Sequence, residues 1–128
     1  MNYLLDTHTF LWLVDSPEDL PSQVLGIIQN RVSTIWVSLI VPWEIAIKSK
    51  IGKLDAADLL DDFEEKATRA KLSILSTTVG HVIRAGGLPL HHRDPFDRLL
   101  IAQSLELRFP ILGSDGAFDP YGVHRIWD

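Results

Sequence analysis

Apolar residues along this chain fall into short blocks with two different rhythms. Continuous apolar or β-branched runs, NYLL (2–5), TIWV (34–37), LSIL (72–75) and PILG (110–113), predict short buried strands, and VHRIW (123–127) a last one. Between them the apolar positions spread to a helical spacing. THTFLWLV turns straight into a helix after Asp6, and residues 21–31 space Val24, Ile27 and Ile28 along one face. Further helices are predicted from Ser38 to about Ile51, stopping at Gly52, from Asp55 to Lys71, and from Thr78 to Ala85. The segment from Asp94 to Leu107 carries the strongest helical signal. Strands alternating with helices through short loops predict an α/β fold, a three-layer α/β/α sandwich around a mainly parallel sheet. Ligands of such sheets bind beyond the carboxyl ends of the strands.

At those ends stand acids. Asp6 directly follows NYLL, and Asp115 follows PILG by one residue in GSDGAF. Each has a structural reading as well: Asp6 as a helix cap, Asp115 as a turn residue. Glu44 has Ile40, Ile47 and Ile51 at helical spacing, a stripe expected to be buried. A carboxylate there is costly unless it is paired or metal-bound, and Lys48, one turn on, is the competing explanation. Asp94, Pro95 and Asp97 fit the cap, first and third positions of a helix. Asp94 alone suffices as the cap, which leaves Asp97 over, on a face shared with Leu100, Ile101 and Ser104. If Asp6, Glu44, Asp97 and Asp115 meet, their mutual repulsion calls for cations. All-oxygen ligation suits Mg²⁺ or Mn²⁺, and such a centre suits phosphodiester hydrolysis.

Composition narrows the classes without choosing among them. The 128 residues suit one domain, 1–128, and with no cysteine there is neither a disulfide nor a thiol nucleophile. A net charge of −5 argues against indiscriminate nucleic-acid binding, although bound cations would offset it locally. No apolar run approaches the ~18 residues of a membrane span and no basic leader precedes MNYLLDTHTF, so a cytoplasmic protein with no membrane contact is expected. No GxSxG, P-loop, GxGxxG or HExxH pattern is present.

The motifs LLDTHTFLW, PWEIAIKSKIGKL, LPLHHRDPFDRLLIAQS and SDGAF occur in this order over most of the chain. Together they closely resemble the PIN-domain ribonucleases, specifically the VapC-type toxins of bacterial type II toxin–antitoxin pairs. The resemblance implies Mg²⁺- or Mn²⁺-dependent endoribonuclease activity on an RNA substrate, inhibition by a cognate VapB-type antitoxin, and a homodimer. Carried across, the metal-binding and catalytic acids are Asp6, Glu44, Asp97 and Asp115, with Asp6 and Asp97 the foremost direct ligands and Glu44 and Asp115 acting either directly or through water. Asp94 matches the motif as the cap.

Thr7, Lys48, Ser114 and Arg98 are substrate or supporting candidates, with Lys48 best placed for phosphate. His91 and His92 read more simply as solvated loop residues, and Trp12 and Trp43 as core or interface. Two departures stand out. Family members usually carry Thr or Ser where this chain has Gly113, and Pro42 predicts a loosened or shifted start to the Glu44 helix. Two other function classes remain open: a catalytically weak module of the same fold, acting through its antitoxin or by gripping RNA, and a phosphoesterase for small molecules.

Overall fold

Leu4 and Leu5 are neighbours in β1 (Asn2–Leu5), point to opposite faces of it, and are both 0% exposed. Ile111 and Leu112 of β4 (Ile111–Leu112) repeat the pattern. Both faces of the central strands are therefore covered, as a parallel sheet requires. The computed structural model describes residues 1–128 and has one five-stranded sheet, ordered β3 (Leu72–Leu75), β2 (Thr34–Ser38), β1, β4, β5 (Arg125–Ile126). Every neighbouring pair is parallel. The helices are α1 (Thr7–Asp15), α2 (Ser22–Gln29), α3 (Ile40–Lys50), α4 (Phe63–Arg69), α5 (Val79–Gly87) and α6 (Pro95–Leu107), completing the expected three-layer sandwich. None is long and apolar enough to cross a membrane.

The chain runs from β1 to β2 and β3 on one side, then crosses back to place β4 and β5 on the other. The gap between the carboxyl ends of β1 and β4 is thus the topological switch point, where a parallel sheet opens a crevice. Asp6 leaves β1 at this point, its N–H still donating to Leu112 O at 3.2 Å.

Three expectations need correction. The helix predicted over Asp55–Lys71 is a 3₁₀ turn (Ala57–Leu60) followed by the shorter α4. It breaks at Asp62, which sits in the left-handed region at φ 53°, a conformation short polar side chains tolerate. The stripe assigned to Glu44 is only half right. Ile40 is buried, but Ile47 is 41% and Ile51 60% exposed, and the covered face is Ile40, Val41, Glu44 and Ile45. The start of α3 is shifted rather than loosened. It begins at Ile40, whose N–H donates to Ser38 Oγ, so Pro42 is the third helical residue and lacks only an N–H with no intrahelical partner.

Candidate functional site

Each acid at the rim is fixed by the local fold that delivers it. Asp6 caps α1, accepting from Thr9 N–H at 2.8 Å through Oδ1. Asp94 caps α6, its Oδ1 accepting from Phe96 N–H at 2.8 Å and Asp97 N–H at 3.3 Å. Asp97 follows in the first turn of α6. Asp115 opens a 3₁₀ turn (Gly116–Tyr121) absent from the sequence expectations, with Oδ1 accepting from Ala117 N–H at 2.9 Å. Glu44, only 3% exposed, rises from α3. The structural and chemical readings of Asp6 and Asp115 are therefore compatible, because each cap employs one carboxylate oxygen and leaves the other.

Counting oxygens separates the acids into two groups. Both oxygens of Glu44 have a donor: Thr7 Oγ1 donates to Oε1 and Lys48 Nζ to Oε2, each at 2.5 Å. So do both oxygens of Asp94, since Lys48 reaches its Oδ2 at 3.0 Å. In contrast, Asp6 Oδ2, Asp97 Oδ1 and Asp115 Oδ2 accept from no donor of the protein. The competing explanation for Glu44 thus holds in part: Lys48 pairs with it, and the pair lies inside the acidic group.

Ligand atoms of His92, Asp97 and Asp115 lie within 4.8 Å of one another, as do those of Glu44, Asp94 and Asp97. Asp97 belongs to both sets. Asp6 belongs to neither, but it stands close enough to Asp115 for that charge to raise it. Asp115 therefore borders both Asp6 and Asp97. Burial is the main cause that holds the Asp6 carboxyl above its ordinary range, against the lowering effect of its bonds with Thr9. Asp97 is pushed up to about 6, chiefly by burial and then by the charges of Asp94 and Glu44, with His92 pulling the other way. Burial works against both Lys48 and Asp94, yet their bonds outweigh it: Lys48 is held above its usual range and Asp94 below.

His92 is the residue that sequence reasoning misjudged. Its Nε2 meets Asp97 Oδ2 at 2.7 Å, and its backbone N–H donates to Tyr121 Oη at 2.7 Å. The available signal was its place just ahead of the Asp94 cap, which turns a loop residue back over the first turn of α6. Arg98 falls on the supporting side, not the substrate side. It is 8% exposed, and its guanidinium donates to the carbonyls of Ala85, Gly86, Leu88, Pro89 and His92. Ser114 is exposed. Beside the acids runs a trough of about 290 Å³ lined by Thr7, His8, Glu44, Lys48, Lys53 and Asp94 among others. Trp12 packs on Trp127, whereas Trp43 is 56% exposed and meets Phe96 edge-on at 5.0 Å.

The donor set fits a hard divalent cation. Carboxylate oxygens with one flanking imidazole suit Mg²⁺ or Mn²⁺ better than a thiophilic metal. Oxygens sharing one Mg²⁺ lie up to ~4.2 Å apart, comparable to the spacing within which these ligand atoms already stand.

Gly113 has a reason to be glycine. A Cβ there would lie 2.4 Å from Asp6 Oδ2 and 2.8 Å from its Cγ. Asp6 cannot simply swing away, because Oδ1 is held by Thr9. The departure at this position thus seats one of the open oxygens directly against the backbone. Gly113→Ala is expected to displace that carboxylate and weaken Mn²⁺ binding by roughly 10- to 100-fold. Calorimetric titration checks this, with a melting curve to establish that the fold persists. Unchanged affinity would remove Asp6 from the centre.

A family model described as PIN domain matches residues 3–122. No curated protein matches the sequence. Among solved structures, the crystal structure of VapBC2 from Rickettsia felis bound to a DNA fragment from their promoter contains a similar chain. The two superpose with a TM-score of 0.72 at 17% identity, over 100% of each chain, a likeness of fold.

Proposed function

The chain belongs to the PIN-domain family, and on that premise we propose that its 128 residues form a single-domain, metal-dependent endoribonuclease. We read it as the toxin of a type II toxin–antitoxin pair, acting in the cytoplasm on RNA phosphodiester bonds with Mg²⁺ or Mn²⁺. The observation that carries this is the gathering of acids at the rim: ligand atoms of Asp97 and Asp115 lie within 4.8 Å of each other, and Asp6, at the switch point of the sheet, feels the charge of Asp115. When bound there, the ion supplies Lewis acidity, lowering the pKa of an attacking water and offsetting charge on the phosphate.

The chain's own residues do the rest. Asp6, Asp97 and Asp115 would hold the ion, Asp6 and Asp115 through the oxygens their caps leave free and Asp97 through the one that His92 leaves free. Glu44 adds negative charge behind them, its direction set by Thr7 and Lys48. His92 orients Asp97 and can join the donor set. Lys53 and His8, along the trough, can meet backbone phosphates on either side of the scissile one.

A protein partner fits as well. Exposed Trp43 and Val82 line an apolar hollow with Ala85, Pro95 and Leu99, a surface suited to cover by an antitoxin or a second copy. The solved relative named above is itself an assembly with promoter DNA. A VapB-type antitoxin and a homodimer are the partners we infer from the family resemblance.

The test is cleavage of total cellular RNA in Mg²⁺ or Mn²⁺, with Asp6→Asn beside wild type. Metal-dependent cuts that the variant loses support the nuclease. RNA retention without cleavage would instead favour the binding module, and faster turnover of phosphomonoesters a small-molecule phosphoesterase.

A further inference from the structure

The acids lay out two cation positions, not one. The first is bounded by His92, Asp97 and Asp115, the second by Glu44, Asp94 and Asp97. The second already holds a positive charge. Lys48 Nζ lies 2.5 Å from Glu44 Oε2 and 3.0 Å from Asp94 Oδ2, bridging two of its three acids. We propose that the Lys48 ammonium is a built-in occupant of this second position, so that the centre takes a single divalent ion on the Asp115 side. The inference rests on the metal-dependent reading above and adds the stoichiometry to it.

Three features of the chain support it. The first is occupancy: both oxygens of Glu44 and both of Asp94 have donors, so a cation entering between them must first evict Lys48. A divalent ion beside an ammonium at that spacing also meets strong like-charge repulsion. The second is how Lys48 is held. It lies one turn after Glu44 on α3, is half-buried, and sets its ammonium over the Phe96 ring, 5.7 Å from the centroid. The third is the contrast with the first position, where Asp97 Oδ1 and Asp115 Oδ2 have no donor. One position is filled by the chain and the other is left open.

The consequence for the reaction is specific. An ammonium cannot acidify a bound water as a metal does, but it carries three N–H donors, and two are committed to Glu44 and Asp94. The third can donate to a phosphate oxygen from the trough that Lys48 lines. Charge that a second metal would otherwise balance is then balanced by Lys48.

Mn²⁺ alone is the probe, titrated into the full chain by calorimetry and followed by electron paramagnetic resonance. Wild type is expected to bind one ion per chain with the spectrum of an isolated Mn²⁺. Lys48→Met is expected to bind two, with the exchange-broadened signal of ions sharing Asp97, and Lys48→Arg to remain at one. Should Lys48→Met fail to fold around an unpaired Glu44, Lys48→Gln keeps a donor for that oxygen without the charge, and is also expected to bind two. Two ions in wild type, or one in a folded Lys48→Met or Lys48→Gln, would overturn the role of Lys48 while leaving a metal centre. No ion in wild type would overturn the metal-dependent reading itself.

Discussion

Asp97→Asn should yield a protein that binds no metal, melts higher than wild type at neutral pH when divalent ions are absent, and no longer cleaves RNA. The two effects have one cause. Burial, reinforced by Asp94 and Glu44, lifts the Asp97 carboxyl to about 6, whereas in the unfolded chain it titrates near ~4. Between those values the folded state binds the proton more tightly, so wild-type stability falls as pH rises through this window. Above pH 6 the ionised Asp97 costs the fold up to about 3 kcal/mol, and below pH 4 it costs nothing. Asparagine removes the charge and therefore the cost. Thermal melts should show the variant several degrees above wild type at pH 7, with the gap closing towards pH 4. Divalent ions compete for the same carboxylate, so wild-type Mn²⁺ affinity should fall about tenfold per unit below pH 6. Loss of the shared ligand should lower the cleavage rate on the order of 10³-fold or more. A variant no more stable than wild type, with metal affinity intact, would mean that Asp97 is only a helix-start residue.

Arg98→Ala should be the most damaging single substitution to the fold outside the apolar core. The guanidinium is buried with no carboxylate against it, and carbonyl dipoles alone neutralise it. Ala85 and Gly86 belong to the last turn of α5, where the helix dipole favours a cation, and Leu88, Pro89 and His92 form the loop leading to α6. Truncation strips the donors from these carbonyls and opens a cavity, an expected loss of roughly 3–5 kcal/mol in denaturant unfolding. Lysine should recover little, since a point charge cannot serve acceptors spread around a planar fork. The damage should also reach the acids, because Arg98 fixes the His92 carbonyl and His92 orients Asp97. A loss under about 1 kcal/mol would mean that water can replace the guanidinium.

What the sequence revealed and what it hid follow from how far each signal reaches. Asp6 and Asp115 were legible because a strand end followed by an acid is a local pattern, and parallel topology sends such ends to one rim. The strands were legible for the same reason, as continuous runs buried on both sides. Glu44 was correctly placed inside, though for a partly mistaken reason. Helical periodicity defines a face but not how far along the helix that face is covered, and Ile47 and Ile51 lie past the cover. Which side Arg98 serves was left open because its partners come from the end of another helix, and His92 was misread because a polar loop gives no sign that it folds back onto Asp97 and Tyr121. Gly113 looked like a lost hydroxyl until Asp6, distant in the chain, was seen lying against it.

The most direct measurement is anomalous scattering from a crystal of the wild-type chain soaked in Mn²⁺. One peak per chain is expected, within ligand distance of Asp97 and Asp115 and beside the open oxygen of Asp6. A peak elsewhere, or none at a Mn²⁺ concentration that supports RNA cleavage, would contradict a cation held by these carboxylates.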